Sequence, residues 1–114
     1  MTDIDIADLP TTVREYLTAH TAGDTDAALA AFTADAEVTD EGVTHRGTEE
    51  IRRWLGKSSS EYTFTTELTG AERVDDEHWV AVSHLEGDFP GAVVDLRYRV
   101  TLRGDRIAVL TIAP

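Results

Sequence analysis

The chain has 114 residues, 41% of them hydrophobic, with 22 acidic against 10 basic side chains and a formal net charge of −12. That length suits one domain with a real core and is too short for two. The acidity argues against nucleic acid or an anionic membrane surface as a partner. No apolar run approaches the roughly 18 residues of a membrane span, and the absence of cysteine excludes disulfides, thiolate metal sites and a cysteine nucleophile.

The opening residues, MTDIDIADLP, lack a basic segment followed by an apolar one, so no signal peptide is expected and the expected location is the cytoplasm. Lys57 is the single lysine. An acid-rich, lysine-poor balance suits a protein kept soluble at high salt, where screening relieves self-repulsion. A GC-rich genome gives the same bias. A melting temperature that stays flat from low to molar KCl would remove the halophilic reading.

Residues 1–8 carry no sustained pattern and read as an acidic tail, leaving 9–114 as the domain. Asp8 is placed to cap a helix with Pro10 in its first turn, where a missing N–H costs nothing; Thr12 and Glu15 offer a capping box if the helix begins later. Leu9, Val13, Tyr16, Leu17 and His20 form its apolar stripe. Ala22-Gly23 ends it, and Asp24 caps a second helix running from Thr25 to Phe32 or Thr33, with Ala28, Leu29 and Phe32 on the buried face.

The stretch FTADAEVTDEGVTHRGTEEIRRWL follows, from Phe32 to Leu55. Ala36, Val38 and Asp40 alternate with Glu37, Thr39 and Glu41, the period of a half-buried strand. Alternation turns Asp40 to the side of Ala36 and Val38, where an unpaired charge is expensive. Alternatively the strand ends at Thr39 and Asp40 caps the turn at Glu41-Gly42. Val43 to Arg46 forms a second short strand, Gly47 turns it, and Thr48 caps a third helix with Glu49 and Glu50 at its positive end. Ile51, Trp54 and Leu55 are its buried edge, Arg52 and Arg53 face water, and Lys57-Ser58-Ser59-Ser60 reads as a loop.

From Glu61 the period becomes 2. Tyr62, Phe64, Thr66 and Leu68 share a face of one strand, which breaks near Gly70 and resumes towards Val74. After a turn at Asp75-Asp76-Glu77, His78 to Asp88 is the next strand, Phe89-Pro90-Gly91 a turn, and Ala92 to Arg103 a third strand. In that strand Val94, Leu96, Tyr98, Val100 and Leu102 face inward, while Arg97, Arg99 and Arg103 face out. Gly104-Asp105 makes a hairpin turn into Arg106 to Ala113. This last strand is apolar on both sides, as if another subunit covers its second face. The order predicts an α+β fold: three N-terminal helices packed on one face of a curved antiparallel sheet, a cone whose mouth holds a pocket.

With that order, the chain resembles the nuclear transport factor 2-like superfamily, which includes SnoaL-like polyketide cyclases and ketosteroid isomerase. The element order matches over roughly Leu9 to Ala113. The family pattern YADDA-x-V-x-D, followed by G-x-x-x-I and an aromatic, stands here as FTADAEVTD and then GTEEIRRW. By this resemblance Asp40 takes the position of the proton-shuttling base of ketosteroid isomerase, and Tyr16, eight residues before Asp24, that of its oxyanion-donating tyrosine. The isomerase's protonated aspartic acid is replaced by Tyr98. The places of two supporting tyrosines fall on Phe32 and Leu55, which donate no hydrogen bond. Neither the histidine–aspartate pairing of the cyclases nor the Asp-Arg-Asp set of limonene epoxide hydrolase is present.

The resemblance implies a small hydrophobic molecule as ligand, a homodimer, and neither metal nor cofactor. An inward Asp40 among Val, Phe and Trp loses hydration, which disfavours its charged form and strengthens it as a base. Tyr16 and Tyr98 would donate to the enolate oxygen formed by removing a proton beside a carbonyl. His20, Phe32, Trp54 and Trp79 are the candidate ligand contacts. Each has a plainer reading as core. His45, His78 and His84 show no metal-ligand spacing.

Overall fold

In a computed structural model that describes residues 2–60, 64–87 and 92–114, three helices lie against a seven-stranded sheet. The strands are β1 (Thr2–Ile4), β2 (Phe32–Asp40), β3 (Val43–Arg46), β4 (Phe64–Arg73), β5 (His78–Gly87), β6 (Val93–Arg103) and β7 (Arg106–Ala113), in the order β1-β4-β5-β6-β7-β2-β3. The helices are α1 (Thr11–Ala22), α2 (Thr25–Ala30) and α3 (Gly47–Ser60). Tyr62 and the Phe89-Pro90-Gly91 turn lie outside the described residues. Among the described residues, no helix is long and apolar enough to cross a membrane.

The first helical turn is capped less fully than the sequence suggests: Pro10 stands at the N-cap of α1 and no side chain closes it. Its other end follows expectation. Gly23 adopts φ 72, and its N–H bonds back to Ala19 and His20, the left-handed stop that glycine makes without steric cost. Asp24 then accepts from the Ala27 N–H at 3.2 Å and starts α2. That helix ends at Ala30, before Phe32, which opens β2.

Two further boundaries differ. The 1–8 segment is not a loose tail: Thr2, Asp3 and Ile4 pair antiparallel with Arg73, Glu72 and Ala71, and a 3₁₀ turn follows at Ile6–Asp8. Ile4 and Ile6 pack against the core, which is what anchors so short an edge strand. The predicted loop at Lys57-Ser58-Ser59-Ser60 is instead the last turn of α3. Packing of the Ile51–Trp54–Leu55 edge overrides the modest helix propensity of serine.

The sheet is mixed rather than wholly antiparallel, because β2 runs parallel to β7, with Val38 beside Leu110 and Asp40 beside Ile112. Between Phe32 and Glu37 the register shifts; there Asp35 takes a hydrogen bond from Thr33 and pairs with Arg103 at 3.1 Å. Only beyond this bulge does β2 alternate cleanly, with Ala36 and Val38 buried. β4 also carries a bulge, between Leu68 and Gly70, where the sequence suggests a break. β6 alternates as expected, with Tyr98, Val100 and Leu102 buried and Arg97, Arg99 and Arg103 exposed.

The core lies between the helices and the inner face of the sheet. Val13 and Tyr16 of α1, Ile51 and Leu55 of α3, and Val38 and Leu110 of the sheet are nearly or wholly inaccessible to solvent. The apolar packing stops short of one end of the layer, and the candidate site opens there.

Candidate functional site

A cavity of about 1050 Å³ lies between α1, α3 and the inner face of the sheet. Its position follows from the strand register. Asp40 and Ile112 are neighbours across the β2–β7 pair, and Ile112 and Tyr98 across the β7–β6 pair. One row across three strands therefore presents a carboxylate, an aliphatic side chain and a phenol to the same space. Leu85, Val94 and Leu96 extend the apolar wall, and α1 and α3 contribute His20 and Trp54.

Asp40 is half-buried and faces inward with Ala36 and Val38, as the alternation of β2 predicts. The turn after it is a two-residue hairpin, with Glu41 at φ 52 and Gly42 at φ 77 and Asp40 paired to Val43. Positive φ at both central residues is the tight hairpin turn that suits strand twist. The turn lets Asp40 remain a strand residue instead of a cap. Its Oδ2 accepts the Trp54 indole N–H at 3.0 Å. Among the described residues its Oδ1 has no hydrogen-bond partner.

Tyr98 lines the same cavity and is 8% exposed. Its hydroxyl makes no hydrogen bond among the described residues. Burial first, and then the negative charge of Asp40, push its pKa up to about 12. It therefore keeps its proton at neutral pH and remains a donor.

Tyr16 is placed differently. It is wholly buried and does not line the cavity; its hydroxyl sits 2.8 Å from His20 Nδ1, and the Phe32 ring packs edge-on against it at 5.3 Å. Burial, with Tyr98 and Asp40 adding, raises its pKa well above the ordinary phenol value. His20 is the residue of this pair that reaches the cavity. Its ring lies 5.2 Å from that of Trp54, edge to face. Burial lowers its pKa, partly offset by Asp40, which favours a neutral imidazole.

Of the four expected ligand contacts, His20 and Trp54 line the cavity. Phe32 supports Tyr16 in the core. Trp79 sits at the β4–β5 end, its N–H on the Asp76 carbonyl at 3.3 Å and the Arg73 guanidinium 5.8 Å from its ring centre. Several cavity residues were not expected as site residues, among them three basic or imidazole side chains and the aliphatic wall. His45 on β3 packs beside Trp54 at 6.1 Å, and Arg53 and Lys57 on α3 line the opening. A signal was available: Glu50, Arg53, Trp54 and Lys57 fall at helical spacing on one face. Among the described residues, no three His, Asp or Glu side chains cluster closely enough to hold a metal ion.

A helix-covered mixed sheet with its cavity between helices and strands defines the class, and the chain belongs to the SnoaL-like domain family, which matches residues 13–110. A proposed polyketide cyclase from Sinorhizobium meliloti is 34% identical over 96% of this chain and all of that one, with a TM-score of 0.88. A ketosteroid isomerase-like protein from Catenulispora acidiphila, solved with trimethylamine, shares the fold at 23% identity, covering 92% of this chain and 85% of its own, with a TM-score of 0.79. An epoxide hydrolase/cyclase-like enzyme with a role in pyran ring formation in salinomycin shares it at 19% identity, 89% and 85% coverage and a TM-score of 0.75. No curated protein matches the sequence.

Proposed function

We propose that the protein binds a small, largely apolar carbonyl compound in this cavity and moves a proton beside the carbonyl, as an isomerase or cyclase. The observation that carries the reading is Asp40: an inward carboxylate with Oδ2 held by Trp54 and Oδ1 left to take a proton. The similarity to a proposed polyketide cyclase supports the same class of chemistry.

In the first step Asp40 Oδ1 takes a proton from the carbon next to the carbonyl. The C–H electron pair becomes the new C=C bond, and the carbonyl π pair moves onto oxygen. The Tyr98 hydroxyl donates to that oxygen, and the neutral His20 imidazole, which lines the same cavity from α1, is a second candidate donor. Tyr16, expected as the donor, acts in this reading through His20, whose ring it holds. An isomerase returns the proton from Asp40 to a more distant carbon. A cyclase instead lets the enolate carbon attack a second carbonyl, whose oxygen then takes the proton. Either route needs water excluded and the charge on oxygen met by a positioned donor.

The test compares wild type and Asp40→Asn on a β-keto polyketide-like substrate and on a Δ5-3-ketosteroid. Loss of turnover with binding retained supports the reading; unchanged turnover removes Asp40 from the mechanism. A binding module without catalysis is the second reading, favoured by the engagement of the Tyr16 hydroxyl with His20, which takes one expected donor out of the cavity. It is supported if ligands bind and neither substrate turns over.

The same reading has the chain act as a homodimer through the outer face of the sheet. Val93 and Val109 are exposed there, at 54% and 38%. Light scattering on the eluted protein tests this, and a monomer mass at micromolar concentration would refute it.

A further inference from the structure

We propose that the ligand of this cavity carries an anionic group, such as a carboxylate, sulfonate or phosphate, recognised by Arg53 and Lys57 at the opening. The inference rests on the reading of the cavity as a ligand site and adds the class of ligand that enters it.

Arg53 and Lys57 stand one helical turn apart on α3, on the face that also carries Trp54 to the cavity. Like charges at this spacing repel and destabilise an isolated helix slightly. The chain has only 10 basic side chains against 22 acidic ones, and two of the ten line this opening together. Acids elsewhere take most of the arginines. Five of the nine are so paired: Arg46 with Glu37, Arg52 with Asp26, Arg73 with Asp76, Arg97 with Glu72 and Arg103 with Asp35.

Arg53 makes no ion pair or hydrogen bond among the described residues. Glu50, one turn earlier on the same face, is turned instead to the Arg46 N–H at 3.0 Å. The guanidinium is thus left facing the opening in a strongly acidic protein. Its planar fork matches the oxygens of a carboxylate, sulfonate or phosphate, and the Lys57 ammonium adds a second charge.

The rest of the wall specifies the other end of the ligand. Leu85, Val94, Leu96 and Ile112 form an apolar surface that suits a hydrophobic body. Asp40 and Glu41 repel an anion from the β2–β3 turn, while Arg53 and Lys57 attract it at the far end of α3 against the opposing charge of Glu50, so the ligand is oriented in one sense. The charged end lies at α3 and the neutral carbonyl end lies towards Asp40 and Tyr98.

The test uses two fluorescent probes with one aromatic body, anionic 1-anilinonaphthalene-8-sulfonate and neutral N-phenyl-1-naphthylamine. Wild type should bind the anionic probe about tenfold more tightly, the worth of one charge-assisted hydrogen bond. Arg53→Gln combined with Lys57→Gln should abolish that preference and leave the neutral probe unchanged. Molar KCl should weaken the anionic probe alone. Val94→Trp, folded by circular dichroism, should weaken both probes by narrowing the cavity.

Equal affinity for the two probes in wild type, or a preference that survives the double substitution, overturns the inference while leaving the cavity a ligand site. Affinities for both probes that Val94→Trp leaves unchanged place the probes elsewhere and also overturn it. Failure of both probes to bind overturns this inference and the cavity reading together. Turnover by Asp40 is read separately: Asp40→Asn removes a charge that repels the anionic probe, so it should abolish turnover while the preference for that probe rises.

Discussion

The Trp54 indole N–H donates to Asp40 Oδ2 across 3.0 Å, tying α3 to β2 at the wall of the cavity. This bond fixes which carboxylate oxygen is occupied and which is available. Trp54 is itself held between the rings of His20 and His45. Trp54→Phe keeps an aromatic ring and deletes the donor, so it should cost about 1–2 kcal/mol of stability, the range for a partly exposed hydrogen bond to a charged group. Turnover should fall about tenfold as Asp40 loses its fixed orientation. Urea unfolding and steady-state rates on a β-keto substrate measure the two effects. Asp40→Asn keeps an acceptor for Trp54 and should therefore abolish turnover with little change in urea midpoint.

The two buried tyrosines should separate cleanly. Tyr98→Phe removes a cavity donor and should lower turnover about 10²-fold, the lower end for one oxyanion-hole group, with melting temperature nearly unchanged. Tyr16→Phe removes the 2.8 Å bond to His20 and should cost about 1 kcal/mol of stability. Its kinetic effect should be the smaller one and should be accompanied by a shifted pH–rate profile, because it acts through His20. A larger loss of turnover in Tyr16→Phe than in Tyr98→Phe would return the donor role to Tyr16.

The particular residues show what the sequence encodes locally. Asp40 faces inward because the regular part of β2 alternates, and alternation is written in four or five consecutive residues. Gly23 ends α1 because only glycine takes φ 72 without strain. Partners are a different matter. The period of β2 says nothing of its parallel pairing to β7, which depends on residues some seventy positions away. Tyr16 and His20 stand four apart on one helix, so their contact was implicit in the spacing. The direction of the hydroxyl, onto His20 and away from the cavity, depends on Phe32 and the surrounding core. The aliphatic wall of Leu85, Val94, Leu96 and Ile112 could not be told from core, because a cavity is a gap between elements and leaves no mark on any one of them.

Histidine protonation should give the stability curve two opposed contributions near neutral pH. Burial lowers the pKa of His20 from its ordinary 6.5, so the unfolded chain binds its proton first. Its contribution is full above about pH 6.5 and is lost as pH falls below it. His84, 2.7 Å from Asp95, has a raised pKa, caused first by that hydrogen bond. Its contribution is present below about pH 6.5 and is lost as pH rises through the raised value. Asp35 and Asp75 have lowered pKa values and act only near and below their ordinary 3.8. Melting temperatures between about pH 5 and pH 8 should therefore respond oppositely to the two substitutions. His20→Gln should flatten the fall on the acid side of about pH 6.5, and His84→Gln should flatten the fall on its alkaline side. A wild-type curve that His20→Gln leaves unchanged on the acid side would mean that His20 is not held neutral.

The N-terminal strand gives a test of packing that activity does not enter. Thr2, Asp3 and Ile4 extend the sheet at the β4 edge, and Ile4 and Ile6 contact the core while remaining half-exposed. Deleting residues 1–6 removes two half-buried isoleucines and uncovers a strand edge. From the transfer free energy of such side chains the loss should be about 1–3 kcal/mol, seen as a lower urea midpoint. The uncovered β4 edge offers unpaired N–H and C=O groups, so the truncated protein should also self-associate more readily. The cavity lies at the α1–α3 side, away from β1, so probe affinity should survive at temperatures where the truncated chain is folded. An unchanged midpoint and unchanged solubility would restore the reading of this segment as a tail.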